Sequence, residues 1–383
     1  MLNIIIAGVT SLLTDISTEM VYPLIPAYLA SLDTSPAILG LIEGFAESSA
    51  SLLKLFSGTI SDRLGKRKPL AILGYTGSTI GKMFLYFSRG WQLVFASRMI
   101  DRIGKGIRVA PRDALIADAS TAGTRGRAFG LHRALDTLGA FLGIGLAILI
   151  VARLGTTLTP GDYHRIFLIS LIPALLGVIA LFFIRETRNL PPNAAPRLRF
   201  KNLSPNLRRF LLIVGIFSLA NSSNQFLLFR MNKLGWSTFN ILVLYLLYNL
   251  TYALLAYPAG KLADRFGKKN LLATGYCIYS LVYFGFALLN RTAASSFLPY
   301  LLFPVYGLFS ALTEGQEKAL VAEIAAPDQR ATLIGLHAAI TGFGLLPASL
   351  LAGLLWNLFG ARAPFIFGGI LGFGAAAGLV LII

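Results

Sequence analysis

The chain is expected to be an all-α membrane protein with twelve transmembrane helices in two six-helix bundles. Three observations predict this. Of its 383 residues, 55% are hydrophobic and 13% charged, with a mean hydropathy of +0.70. A soluble domain carries about 25% charged residues. The apolar residues come in runs of about 20, the length that spans a bilayer as a helix. The first half of the sequence also recurs in the second. This composition excludes an ordinary soluble enzyme, a disordered chain and a disulfide-built secreted scaffold.

The expected spans are 4–30, 38–61, 69–88, 91–112, 128–152, 165–184, 209–230, 237–261, 270–289, 296–318, 331–356 and 364–383. Each must be a helix, since runs of this length exceed what a barrel strand needs. Twelve spans use about 240 residues at about 20 each, leaving no room for a soluble domain. The first run holds Asp15 and Glu19 and has no basic leader, so it reads as a permanent span rather than a cleaved signal.

Charge in the loops sets the orientation. The net charge is +17, and much of it sits in alternate short loops. Arg63, Lys66, Arg67 and Lys68 follow span two, Arg125 and Arg127 follow span four, and Arg265, Lys268 and Lys269 follow span eight. The loop 185–208 adds Arg185, Arg188, Arg197, Arg199, Lys201 and Arg208, whereas 31–37 has no Lys or Arg. Positive charge stays inside, so both termini are expected in the cytoplasm, of a bacterial inner membrane. This placement accounts for the charge without nucleic acid. The single cysteine, Cys277, excludes an internal disulfide, and three histidines make a histidine metal site unpromising.

The 185–208 loop carries Pro191, Pro192, Pro196 and Pro205 and separates 1–184 from 209–383. The separated halves repeat. Gly58-Thr-Ile-Ser-Asp62-Arg63-Leu-Gly65-Lys66-Arg67 recurs as Gly260-Lys-Leu-Ala-Asp264-Arg265-Phe-Gly267-Lys268-Lys269, 202 positions later. Asp113-Ala-Leu-Ile-Ala-Asp118 recurs as Lys318-Ala-Leu-Val-Ala-Glu323, and Gly130-Leu131-His132 as Gly335-Leu336-His337, each 205 positions later. Six helices per copy give both copies the same orientation, the parallel repeat of two-bundle transporters.

These motifs resemble the major facilitator superfamily over the whole chain. The most specific mark is the loop G-x-x-x-D-R-x-G-R-R, matched at 58–67 and again at 260–269. Pro23-Leu-Ile-Pro26 is similar to the first-helix motif of the drug/proton antiporter branch, and Arg102-Ile-Gly-Lys105-Gly106 to the fourth-helix motif R-x-x-Q-G, with Lys105 for Gln. Gly130, Gly139, Gly143 and Gly145 resemble the fifth-helix motif, with Ile144 at its usual proline. The resemblance implies that helices 1, 4, 7 and 10 line a central cavity and that 3, 6, 9 and 12 face lipid. It also implies a latching role for Gly58, Asp62, Arg63 and Gly65. Arg63 is expected to pair with Asp113 or Asp118, and Asp264 and Arg265 repeat the set.

Intramembrane charge is costly, at least about 2.5–3.5 kcal/mol per group, so it should collect where water enters. Asp15 and Glu19 lie one turn apart on span one, and 206 positions on stand Asn221 and Gln225. Removing a carboxyl from water favours its neutral form. The pair is therefore either a proton-coupling site or the partner of span-four arginines. Glu43 and Glu47 repeat the spacing on span two and are alternatives. Arg98, Arg102 and Lys105 form one stripe on span four. They either neutralise these acids or clamp an anionic substrate. Lys82 on span three is expected to snorkel to the interface. Asn221, Asn224, Gln225, Tyr245, Tyr248, Asn249 and Tyr252 would form an aromatic and amide wall for substrate, or merely pack. Glu317 and Lys318 align with Arg112 and Asp113 in reversed sign, which suggests a gate at the bundle ends.

There is no Walker motif, zinc-hydrolase signature or convincing nucleophile triad, so no enzyme activity and no cofactor are expected. The expected function is secondary active transport of a small organic molecule by alternating access, as proton-coupled efflux by a monomer. An importer or exchanger of an organic anion or phosphate is the alternative, and a non-transporting membrane receptor is the rival from another class. A carrier of hard metal ions through Asp15 and Glu19 is a further one.

Overall fold

The structure is a computed structural model that describes residues 2–64, 66–120, 125–155, 158–186, 204–290, 297–324 and 330–382. Fifteen α-helices and one 3-10 turn make up twelve membrane-length rods among these residues. Helix α1 (Leu2–Val21), the turn Tyr22–Leu24 and α2 (Ile25–Ser31) form the first rod. Then follow α3 (Pro36–Leu64), α4 (Lys68–Tyr86), α5 (Trp91–Asp118), α6 (Arg125–Leu154) and α7 (Pro160–Phe182). Helices α8 (Pro205–Ala220) and α9 (Gln225–Lys233) share the seventh rod. After α10 (Thr238–Phe266) and α11 (Lys268–Leu288), helices α12 (Leu298–Thr313) and α13 (Gln316–Ile324) share the tenth. Helices α14 (Arg330–Phe359) and α15 (Ala363–Ile382) complete the chain. Among the described residues, eight rods are long and apolar enough to cross a membrane by length and composition alone, and α5, loaded with arginine, is not one of them.

Local chemistry sets the helix ends. Thr159 and Asp162 exchange hydrogen bonds in a capping box ahead of α7, with Pro160 at its first position. Ser204 caps α8 by accepting from the Leu207 N–H, with Pro205 next. Gly235 and Gly360 adopt positive φ just past the ends of α9 and α14, a conformation open to glycine without a Cβ penalty.

Contacts group the chain into two compact units. The first comprises Met1–Thr34, Phe45–Ala195 and Ser237–Leu242, and the second Ser35–Gly44, Pro196–Trp236 and Val243–Ile383. In the first, α1 packs on α6 and α7, and α4 on α5 and α7. Ile4, Ala7, Tyr75, Leu115 and Leu181 lie in one of its apolar clusters. In the second, α11 packs on α12 and α15, and α8 on α14 and α15. Its core is aromatic: Phe217 stacks on Tyr276 at 3.7 Å and Tyr279 on Tyr283 at 4.0 Å.

Apolar side chains also cover the outside. On α7, Ile172, Leu175, Leu176, Ile179 and Phe182 are all exposed. Such a face suits hydrocarbon and not water. Polar side chains instead turn inward. Lys82 corrects the snorkelling expectation: it is 5% exposed, and its Nζ donates to Thr18 Oγ1 at 3.0 Å. A partner on α1 holds the ammonium inside the unit.

Candidate functional site

Three rods are interrupted. The first breaks at Tyr22–Leu24, where Pro23 and Pro26 remove backbone donors. The seventh breaks between Ala220 and Gln225, and the tenth at Glu314 and Gly315. Irregular backbone at membrane depth survives only when buried in protein or beside water. Polar side chains gather at the second and third of these breaks, and Arg98 and Arg102 lie over Tyr22 at the first.

In the first unit, α1, α3, α4, α5 and α6 bring ionisable side chains together. The Asp15 carboxyl faces that of Asp136 on α6, and Glu19 and Lys105 lie within electrostatic range of Asp15. Two carboxyls hydrogen-bond one another only when one of them carries a proton, because two carboxylates have no donor. Asp136 also accepts from Arg133 Nη1 at 3.3 Å. Nearby, Glu47 Oε1 sits 3.0 Å from Arg102 Nε and 3.6 Å from Arg98 Nη2. Asp101 Oδ2 lies 3.7 Å from both guanidiniums. The Tyr22 ring, in the first break, lies below both, with centroid distances of 5.3 and 5.8 Å. Arg98 and Arg102 are each 3% exposed, so their charge is balanced within the unit.

Glycine makes this crowding possible. A Cβ on Gly104 would lie 2.5 Å from the Gly74 carbonyl oxygen, so α5 rests directly on the α4 backbone. Ser78, on the same face of α4, donates to the Asp101 carbonyl at 3.0 Å and accepts from Arg108. The glycines within Arg102-Ile-Gly-Lys105-Gly106 thus let the charged stripe approach its neighbours.

Glu43 groups elsewhere. It is fully buried in the second unit, where Ser223 Oγ in the seventh-rod break donates to its Oε2 at 3.2 Å. The four expected proton-site acids therefore divide: Asp15, Glu19 and Glu47 lie in one unit and Glu43 in the other.

The wall in the second unit assembles around the same break. Tyr306 on α12 donates to Asn224 Oδ1 at 2.7 Å, and Tyr248 OH lies 3.3 Å from Ser310 Oγ. The rings of Tyr245 and Tyr248 stack at 5.8 Å, and Tyr248 meets Tyr306 at 5.4 Å. Tyr279 donates to the Ala220 carbonyl at 2.6 Å, satisfying the end of α8. Gln225 is fully buried at the start of α9, and Asn221 caps α8 through its backbone N–H. Asn249 turns back on its own helix, donating to the Tyr245 carbonyl at 2.9 Å. Tyr252 donates to Glu314 Oε2 at 2.6 Å, in the tenth-rod break. Sequence reasoning missed Tyr279, Tyr306 and Glu314. A tyrosine in an apolar run carries little signal alone, but Glu314 beside Gly315 marks the break.

The gating residues show a mirrored plan. Arg67 Nη1 pairs with Asp118 at 3.1 Å, and Lys268 with Glu323 at 2.8 Å. Each joins the third helix of a copy to the end of its fourth. Asp118, one of the two acids expected for Arg63, is thus also a partner of Arg67. The side chains of Asp62 and Arg63, and Gly65, lie outside the described residues, while Gly58 lies against Ala110 Cβ. Asp264 is exposed and 3.9 Å from Lys268, and Arg265 lies over the Phe266 ring. Arg112 pairs with Asp113 at 2.9 Å and donates to Ser11, which also meets His132 at 2.8 Å and Tyr75 at 3.3 Å. In the copy, Glu317 accepts from Tyr276 at 2.7 Å and lies 2.9 Å from His337. A tyrosine, a charged residue and a histidine thus recur with the charge reversed. Lys318 is exposed.

Known proteins place the chain. The profile of the Major Facilitator Superfamily matches residues 7–314 and 210–383. An uncharacterized MFS-type transporter of Methanocaldococcus jannaschii is 36% identical, over 99% of this chain and 94% of its own. The class B tetracycline resistance protein of Escherichia coli is 24% identical over 78% of this chain and 74% of its own. The crystal structure of the nucleoside transporter NupG superposes with a TM-score of 0.80, at 14% identity, covering 99% of this chain and 98% of that one. The chain belongs to the major facilitator superfamily, as a multi-pass membrane transporter of a small molecule.

Proposed function

We propose that the protein exports a small organic molecule in exchange for protons, with Asp15 and Asp136 as the proton-binding pair. The facing of these two carboxyls carries this reading. A pair that shares one proton changes its charge by one on release. Lys105 and Glu19 lie within electrostatic range of that change. Proton binding then favours one conformation and proton release another, and only such a difference in affinity shifts the balance between them.

The amide and tyrosine wall of the second unit meets the substrate. Its rings offer stacking area, and Asn224, Gln225 and the phenols offer hydrogen bonds. This chemistry suits a polycyclic, hydroxylated or otherwise amphiphilic molecule. The relative named for tetracycline resistance points the same way, towards efflux. Arg98 and Arg102 serve as the counter-charge of Glu47 and Asp101 rather than as a clamp for an anion. Both termini are assigned to the cytoplasm, on the side of the basic loops.

Proteoliposomes with an imposed pH gradient and a panel of amphiphilic compounds test this. Transport should follow the gradient in the native protein and lose that dependence in Asp15→Asn and Asp136→Asn. Gradient-independent transport by the native protein, or full coupling in both variants, overturns the assignment.

A further inference from the structure

We propose that the second unit holds a phosphate-class anion, supplied by an anionic phospholipid headgroup, between Arg230 and Arg362. These residues line an open recess of about 420 Å³ at the ends of α9, α11 and α14, with Asn290 also on its wall. Arg230 is 7% exposed, and its Nη2 donates to the Leu289 carbonyl at 2.7 Å. Its Nε is buried without a hydrogen-bond partner among the described residues. A desolvated guanidinium needs an opposite charge and acceptors for its donors. The structure gives it Arg362 instead, whose positive charge bears on it.

The sequence deepens the imbalance. Segments 225–240, 285–300 and 355–365 contain Arg230, Lys233, Arg291 and Arg362 and no Asp or Glu. Arg230, Lys233 and Arg362 lie at the rod ends opposite the basic loops that set orientation, so topology does not explain them. Nor does the repeat: 206 positions before Arg230 stands Leu24. An anion with several oxygen acceptors resolves the imbalance, and two guanidiniums suit a phosphate through charge-assisted hydrogen bonds. The surroundings favour a lipid as the source. Leu234, Leu289 and Phe359 also line the recess, and Leu288 and Phe359 are 70% and 73% exposed. Acyl chains could lie along this apolar rim while the headgroup enters.

The test uses the purified full-length protein in neutral detergent. Its thermal stability is titrated separately with phosphatidylglycerol, phosphatidylcholine and inorganic phosphate. Phosphatidylglycerol should stabilise it saturably and phosphatidylcholine should not. Arg362→Gln, at an exposed position, should weaken the apparent affinity by about tenfold or more, the loss of a charge-assisted hydrogen bond. Arg230→Gln should do the same. Arg209→Gln, which removes a charge near the start of α8, should leave the response intact. Stabilisation by inorganic phosphate that Arg362→Gln weakens supports the anion site and names free phosphate as its source. Equal responses to the two lipids without a phosphate response overturn the proposal. So does an unchanged response in Arg362→Gln, which decides the matter even if Arg230→Gln does not fold.

Discussion

At the scale of single residues, Asp136 changes the meaning of Asp15. Alone, Asp15 would be one more carboxyl among the span-four cations. Facing Asp136, it belongs to a pair of carboxyls, the arrangement on which the proposed proton site rests. Residues that act as a unit give non-additive losses. Asp15→Asn and Asp136→Asn should therefore each lower gradient-driven transport at least about tenfold, and the double variant should lose little more than either single. Fully multiplied losses would show two independent sites. Glu47 has a different role. Glu47→Gln removes a carboxylate from Arg98 and Arg102, which still face Asp101, and should cost about 1–3 kcal/mol of stability. A thermal melt in detergent reads that cost, and an unchanged midpoint would make the ion pair energetically idle. Asp15 and Glu47 were legible from sequence because acids in apolar runs stand out. Asp136 was not, because it follows Arg133 by one turn and reads as an ordinary helix-surface pair. Only the packing of α6 on α1 turns it towards Asp15.

At the scale of helices, the close approach of α6 to α1 decides whether those carboxyls meet. A Cβ at Gly139 would lie 2.5 Å from the Leu12 carbonyl oxygen, and one at Gly143 2.5 Å from that of Ile16. Gly145 and Gly130, in the same motif, have nothing within 4 Å of that position. Gly139→Ala and Gly143→Ala should each cost about 1–3 kcal/mol through overpacking and push α6 away from α1. Gly145→Ala should be nearly neutral. Thermal melts together with gradient-driven transport check this, and equal tolerance at all three sites would contradict the packing. The helices themselves were readable because a bilayer demands about 20 apolar residues in succession. The breaks were harder. An apolar run shows length but not continuity, and Asn221-Ser222-Ser223-Asn224 reads equally well as polar residues on an unbroken helix. Tyr279, which satisfies the freed Ala220 carbonyl, comes from α11, far along the chain. No local pattern could have announced that partner.

At the scale of the whole molecule, duplication supplied one scaffold twice and divergence gave the copies different chemistry. Asp15 and Glu19 in one correspond to Asn221 and Gln225 in the other, and Arg112 corresponds to Glu317. The first copy brings two carboxyls, Asp15 and Asp136, together, and on the proposed reading they share a proton. The second has amides and phenols that hydrogen-bond without changing charge in the ordinary pH range. Energy coupling should then belong to the first unit and substrate selectivity to the second. Asn224→Ala removes the acceptor of Tyr306 and should raise KM by about 3- to 10-fold, the worth of one hydrogen bond, while transport still follows the pH gradient. Asp15→Asn should do the reverse: substrate binds within about twofold of the native affinity, but the gradient no longer drives it. Equilibrium binding and gradient-driven flux, measured on both variants, separate the two effects. If Asn224→Ala uncouples transport, or Asp15→Asn abolishes binding, the copies share one function rather than dividing two. The division also has a reason in cost. Each ionisable group at membrane depth carries a penalty of a few kcal/mol. A carrier that confines its titrating pair to one copy incurs that penalty for coupling in that copy, and the amide and tyrosine wall of the other can change substrate without disturbing the proton site.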